Sequence, residues 1–453
     1  MKKKTLTALL VATMLVFSGC VSEQEPAAAP ASSGNATTEA TDATQAQTEA
    51  TTEAAEQTGE VVTVEIGAIY PMTGNAAKTG EEYIKAVELA VDIVNNKHDI
   101  NLPFADTEGI PANNGVTYKL NLNVGDHQAS PEIGVSEAER LITQVGCHLL
   151  MGCHYSSVAK TASNTAERMG IPFVIPDSTS PDLTERGFEW VFRTGPTDDT
   201  FVSDTFKFLQ SLNEQGADIK TVAMVAEDTE FGALLAQRVE NQYAEFGFEL
   251  VESITYPANS TSVTAEVLRL VNAAPDAIIM ASYTSDTILF INEFADKGFN
   301  PQAIVGQRAG FIAPELFEAL GEKTETLATT NVWSLDLENS IPVVGEANSM
   351  LNAEKGIDFT GDYARAFTAI FAIADVLQRT NSLEPADLQA ALQATDIKND
   401  GNMIVPWEGI QFNEKGQNIY ATGIVTQVFD GKYQTVWPDA SRSEEPVFPI
   451  AGW

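Results

Sequence analysis

Cysteine, histidine and positive charge are all scarce in this chain. Its 453 residues include 3 cysteines, 4 histidines and 26 lysines and arginines against 63 aspartates and glutamates, for a formal charge of −37. Each shortage excludes something. Cys20 stands apart, and if 147–152 is extended, Cys147 and Cys153 lie roughly 20 Å apart, far past the ~7 Å limit for a bridge, so no disulfide is expected. The same segment separates Cys147-His148 from Cys153-His154, and no second cluster completes a metal site, so buried thiols and a loop histidine are the expected roles. His98 and His127 have no evident nucleophile or metal set, and G-x-S-x-G, P-loop and G-x-G-x-x-G motifs are missing. An enzyme is therefore disfavoured, and no cofactor or metal is expected. The acidic excess repels nucleic acid and anionic lipid headgroups, which removes both as partners, and its plainest use is solubility.

Long apolar runs are lacking too, apart from the start. MKKKTLTALLVATMLVFSGC has three lysines and then an apolar run of about a dozen residues, short of the ~20 that span a bilayer, and it reads as an export signal. It ends in Phe17-Ser18-Gly19-Cys20, which resembles the lipobox of bacterial lipoproteins, where the cysteine becomes the lipidated first residue; the alternative is an ordinary cleaved signal with Cys20 lost. A lipid on Cys20 would be the only anchor, placing the protein on the extracytoplasmic face of the membrane. Residues 21–60 are rich in Ala, Thr and Glu and almost without large apolar side chains, so they form a tether rather than a core. Setting aside the three lysines of the signal and the eight carboxylates of 21–60 leaves −32 on residues 61–453.

From residue 61 the pattern is rhythmic. VVTVEIGAIYPMTG alternates as a strand and ends in a turn, and EEYIKAVELAVDIVNN spaces Ile84, Val87 and Val94 for a helix. TYKLNLNVGD, CHLLMGC and IPFVIPD read as further strands, separated by the helices PEIGVSEAERLITQVG and SVAKTASNTAERMG. The alternation restarts near Thr197 with TVAMVAED, ELVESITYP, DAIIMASYT and AIVGQ as strands between helices. A helix, YARAFTAIFAIADVLQRT, and a hairpin-like region, IYATGIVTQVFDGKYQTVWP, close the chain. Strands alternating with helices predict an α/β fold of doubly wound, largely parallel sheets. Roughly 390 residues exceed the ~250–300 that one core serves, which favours two similar lobes. Ligands of such sheets sit beyond the carboxyl ends of the strands, where GCHYSSVAKTAS (152–163) and IPDSTSPDLTERG (175–187) fall. Each follows an apolar run and presents small hydroxyl residues and backbone N–H groups to one place, which suits a carboxylate.

The stretch EIGAIYPMTGNAAKTGEEYIKAVELAVDIVN is similar to the opening of the solute-binding proteins of branched-chain amino-acid ABC transporters. GCHYSS, PDSTSPDLTERG, WVFRTGPTDD, DTEFG and QFNEKGQNIYATGIVTQVFDGKYQTVWP follow in that family's order, so the resemblance covers nearly all of 61–453. It implies a type I periplasmic-binding fold, with lobe 1 made of 61–195 and 331–415, lobe 2 of 196–330 and 416–453, and crossings near Gly195, Asn331 and Asn413. It implies a monomer that closes on an amino acid or related small carboxylate and delivers it to a permease, with ATP hydrolysis left to partner subunits. A sensory receptor of the same fold, reporting to a membrane signalling partner, is the alternative.

The resemblance also assigns residues. Ser156, with Ser157 beside it, matches the serine that binds a ligand carboxylate, although an N-cap is its other reading. Thr179, after Ser178, matches the threonine that donates to the same group, and the carbonyl of Asp177 matches the acceptor of a ligand ammonium. The Asp177 carboxylate itself either faces a cation on the ligand or caps a turn before Pro181. In the second lobe Phe231 stands where relatives have Tyr, and Tyr283 and Asp286 begin the next binding loop. Arg308 falls where the family has an acid for the ammonium; its planar fork suits a carboxylate instead, unless it points to solvent. Thr79 replaces an aromatic contact and suggests a roomier pocket.

Overall fold

A computed structural model describes residues 59–453 except Asn114 and Asn381. The signal, Cys20 and the tether up to residue 58 lie outside the described residues.

The first sheet contains β1 (Val61–Tyr70), β2 (Ile110–Pro111), β3 (Thr117–Asp126), β4 (Leu149–Gly152), β5 (Phe173–Ile175) and β6 (Val191–Arg193), in the order β2-β3-β1-β4-β5-β6. All neighbours run parallel except the short β2. Successive side chains of a strand point to opposite faces, and β1 uses both: Val64, Ile66 and Ala68 join one core and Ile69 another. Helices α1 (Ala77–Asn95), α2 (Pro131–Arg140), α3 (Ser156–Met169) and the single turn α4 (Asp182–Glu185) follow β1, β3, β4 and β5. The helix expected over 131–146 passes at Leu141 into a π-helical turn that ends at Gly146 in the left-handed conformation.

The second sheet holds β7 (Thr221–Glu227), β8 (Glu249–Tyr256), β9 (Ala277–Ala281), β10 (Ala303–Gln307) and β11 (Ala328–Asn331) as parallel neighbours in the order β11-β10-β9-β7-β8. Helices α5 (Asp198–Glu214), α6 (Glu230–Gln242), α7 (Thr264–Ala273), α8 (Thr284–Lys297) and α9 (Pro314–Leu320) accompany it. Val222, Met224 and Ala226 of β7 pack on one side, Ala223 and Val225 on the other. After β11 the chain returns to the first core through α10 (Val343–Lys355), α11 (Gly361–Arg379) and α12 (Pro385–Gln393), with Phe367, Ile370 and Ile373 of α11 packed in the same core as α1. A small antiparallel pair, β12 (Asp396–Lys398) and β13 (Gly409–Gln411), precedes the final crossing to β14 (Ile424–Phe429) and β15 (Lys432–Trp437). Those two form an antiparallel hairpin on the edge of the second sheet beside β11. The result is two α/β lobes joined by three crossings, and the antiparallel edges are what alternation alone did not show. Among the described residues no helix is long and apolar enough to cross a membrane.

In each sheet the order reverses beside the first strand, between β1 and β4 in one and between β7 and β9 in the other. Loops leaving neighbouring strands there diverge and open a crevice at the carboxyl ends.

Candidate functional site

The loop after β4 starts at Gly152, whose φ of +133° and approach to the Ile69 carbonyl (2.3 Å from where a Cβ would stand) leave no room for a side chain. Tyr155, not Ser156, is the N-cap of α3 and makes no side-chain cap bond. Ser156 is the first helical residue, buried, and its hydroxyl has no protein partner among the described residues. It lines a small cavity with Thr179, Asp177, His154, Phe231 and Arg308.

Two buried arginines hold the 177–180 segment, and one of them, Arg365, also lines the cavity. Arg365 Nη1 donates to the Asp177 carbonyl (2.8 Å), so the atom matched to a ligand ammonium acceptor already has one donor. Arg193 donates to the carbonyl of Ser178 (3.4 Å) and to that of Ser180 (2.5 Å). Asp177 Oδ1 accepts from the His154 backbone (3.1 Å), which ties the two hydroxyl-rich loops together, while Oδ2 is buried without a partner. Burial pushes this carboxyl above its ordinary pKa, against the pull of Arg365.

Arg308 comes from the opposite lobe, just after β10, and is 3% exposed. Its Nη2 donates to Thr179 Oγ1 (2.7 Å) and Asp198 Oδ1 (2.9 Å), and its guanidinium lies 3.8 Å from the Phe201 ring centroid. Burial lowers its pKa to about 10, which leaves it charged at neutral pH. Nη1 is buried without a partner, a free donor at the cavity. The solvent-facing alternative for Arg308 is thereby corrected.

Aromatic rings close the other side. Tyr283 packs in tilted contact with Tyr155 (centroids 4.6 Å apart), His154 (5.5 Å) and Phe231 (5.5 Å). Its backbone N–H donates to Glu227 Oε2 (3.0 Å), and burial pushes Glu227 up to about 7. Thr79 lines a neighbouring cavity with His154, Tyr283, Ile312 and Thr360.

Three expected residues do not line this cavity. Ser157 follows Ser156 by one helical residue, a ~100° rotation that takes it off the cavity wall. Ser178 lies between Asp177 and Thr179 in the loop after β5 and is absent from the cavity wall, and its buried hydroxyl has no partner. Asp286 Oδ2 instead accepts from the Asn259 backbone (2.9 Å), securing the loop after β8. Sequence reasoning missed His154, Asp198, Asp362 and Arg365. His154 Nδ1 lies 3.0 Å from the Tyr83 hydroxyl and 3.8 Å from Asp362, and burial lowers its pKa. Arg365 pairs with Asp362 at the start of α11. An arginine inside the apolar run YARAFTAIFAIA was the available signal.

The lobes meet across this site: Lys160 bonds Glu230 (2.7 Å) and Lys78 bonds Glu318 (3.3 Å). Two α/β lobes, three crossings and a cavity at the carboxyl ends of both sheets are the architecture of a two-lobed solute-binding protein. The family model for periplasmic binding protein matches residues 63–432, and the chain belongs to that family. It is 27% identical over 394 residues to Leu/Ile/Val-binding protein homolog 8 of Brucella abortus, covering 84% of this chain and 92% of the relative. Homolog 7 of Brucella melitensis is likewise 27% identical, covering 85% and 94%. Among solved structures, a leucine-binding protein of Thermotoga maritima superposes with a TM-score of 0.70 at 20% identity, covering 82% of this chain and 97% of that one. A solute-binding protein of R. palustris in complex with benzoate superposes with a TM-score of 0.69 at 15% identity, covering 86% and 98%.

Proposed function

We propose that this protein captures an amino acid or related small carboxylate between its lobes and delivers it to the permease of an ABC importer. Lobe 1 is then 61–195 with 331–415, and lobe 2 is 196–330 with 416–453. A lipid on Cys20 and the acidic tether would keep a monomeric receptor on the extracytoplasmic face, within reach of that permease. The observation that carries this reading is the convergence of Ser156 and Thr179 from one lobe with Arg308 from the other on one buried cavity.

The chemistry favours a carboxylate. Arg308 has an unpartnered Nη1, the Ser156 and Thr179 hydroxyls line the same cavity, and all three residues are buried, so charge-assisted bonds are stronger than in solvent. Leucine, isoleucine, valine and benzoate, which appear in the names of relatives and neighbours, share that group. Asp177 decides what else the ligand carries. With Oδ2 ionised it holds an ammonium, and protonated it admits an acid without one. Because Arg308 stands where the family has an acid, acids with an additional negative group are expected to outcompete leucine.

Calorimetric titration with leucine, glutamate and benzoate tests the reading. Binding of at least one, lost in Ser156→Ala combined with Thr179→Ala, supports it. Carboxylate binding that the double variant leaves unchanged refutes the cradle.

A further inference from the structure

Beside the cradle the wall carries a donor that no protein group uses. His154 lies two residues before Ser156, with its backbone at φ +70°, in the left-handed region that few side-chain-bearing residues adopt. Asp177 Oδ1 accepts from its backbone N–H. Its side chain, 9% exposed, lines both the Ser156–Arg308 cavity and the neighbouring one with Thr79. Nδ1 lies 3.0 Å from the Tyr83 hydroxyl, whereas Nε2 has no partner among the described residues and, unlike Asp177 Oδ2, keeps accessible surface.

Hydrogen bonding fixes where the proton of this ring sits. Burial lowers the His154 pKa, so the imidazole is neutral and carries one N–H. Tyr83 is fully buried, burial keeps its phenol protonated, and His154 Nδ1 is the one partner of its hydroxyl among the described residues. A proton on Nδ1 would leave the phenolic proton buried without an acceptor, and Asp362, 3.8 Å from Nδ1, is too distant to bond it in exchange. Tyr83 therefore donates to Nδ1, and the imidazole proton is on Nε2, a donor at the cavity wall. Acceptors nearby are already engaged: Arg365 donates to the Asp177 carbonyl and to Asp362 Oδ1, and the His154 N–H takes Asp177 Oδ1.

Resting on the carboxylate reading above, we propose that His154 selects the substituent next to the ligand's acid group, so that a 2-oxo acid is taken in preference to the matching 2-amino acid. A carboxylate on Ser156 and Thr179 has its C2 substituent beside His154 and Asp177, each two residues, at most ~7 Å of chain, from the cradle residue of its own loop. There the Nε2–H bonds a carbonyl oxygen and opposes an ammonium. The cavity, at ≈ 20 Å³, has room for about one water, so a carboxylate enters only as the lobes part. His154, Ser156, Asp177, Thr179 and Tyr83 all belong to the lobe of the first sheet, so their arrangement survives that movement.

Calorimetric titration of the full-length protein with leucine, 4-methyl-2-oxopentanoate and 4-methylpentanoate, which share one carbon skeleton, tests this. The 2-oxo acid should bind tighter than leucine by about tenfold or more. His154→Phe keeps a ring among Tyr83, Tyr155 and Tyr283 and removes the donor, so the preference for the 2-oxo acid over 4-methylpentanoate should fall toward none. Tyr83→Phe also keeps its ring but frees Nδ1 to carry the proton, and it should lower the same preference, a change that packing alone would not produce. Nitrogen NMR of the histidine side chains should find His154 protonated on Nε2 in the parent protein. Leucine binding as tightly as the 2-oxo acid, a preference that survives both substitutions, or a proton on Nδ1 overturns the selection while leaving the cradle standing. Failure of all three acids to bind overturns both.

Discussion

Replacing Arg308 by methionine separates two roles that its geometry combines. The guanidinium donates through Nη2 to Thr179 and Asp198 and keeps Nη1 free at the cavity. A hydrogen bond to a charged group contributes about 1.5–3 kcal/mol, so loss of the Nη1 contact to a carboxylate predicts a rise in Kd of roughly 10- to 150-fold. A second cost falls on the protein itself, because Asp198 is 0% exposed and its Oδ2 already lacks a partner. Stranding one member of a buried pair typically costs ~3–5 kcal/mol. Asp198→Asn in the Arg308→Met background removes the stranded charge, so it should restore much of the thermal stability and little of the affinity. The assay is calorimetric titration of carboxylates alongside thermal denaturation of the single and double variants. A Kd within twofold of the parent for every carboxylate that binds, or full recovery of affinity in the double variant, would refute a direct role for Arg308.

Other consequences are as sharp. Ser156→Ala and Thr179→Ala should each weaken a carboxylate ligand by about 1–3 kcal/mol in titration, with small changes in melting temperature. Arg365→Leu leaves the Asp177 carbonyl without its arginine donor and Asp362 without its buried partner, so a loss of ~3–5 kcal/mol in chemical denaturation is expected. Glu227, pushed up to about 7 by burial, holds its proton in the folded state over a range where the unfolded chain has released it. Stability should therefore be fullest below about pH 4.5 with respect to this group and fall as pH rises toward 7, by an amount on the order of 2–3 kcal/mol. Melting curves between pH 5 and 8 should show that slope, and Glu227→Gln should flatten it; an unchanged slope would place the titration elsewhere.

Much of the architecture is visible in residue order because its causes are local. Alternation in VVTVEIGAIY and three-to-four spacing in EEYIKAVELAVDIVNN each follow from backbone period and burial, and the structure has β1 and α1 there. Ser156 and Thr179 were legible for a related reason: each follows a short buried strand, and strand ends in parallel sheets open onto the crevice. The neighbours Ser157 and Ser178 do not line that cavity, and for Ser157 one step along a helix turns the side chain by ~100°.

What the sequence by itself determined is the strand and helix rhythm, the two-lobed class and the placement of Ser156 and Thr179 at strand ends, all of which depend on neighbours within a few residues. Tertiary structure alone decided the charges of the site. Arg308 meets Asp198 across 110 residues, and Arg365 reaches the Asp177 carbonyl across 188. A buried charge is tolerable only where folding supplies its partner, and no local periodicity records which distant residue that will be.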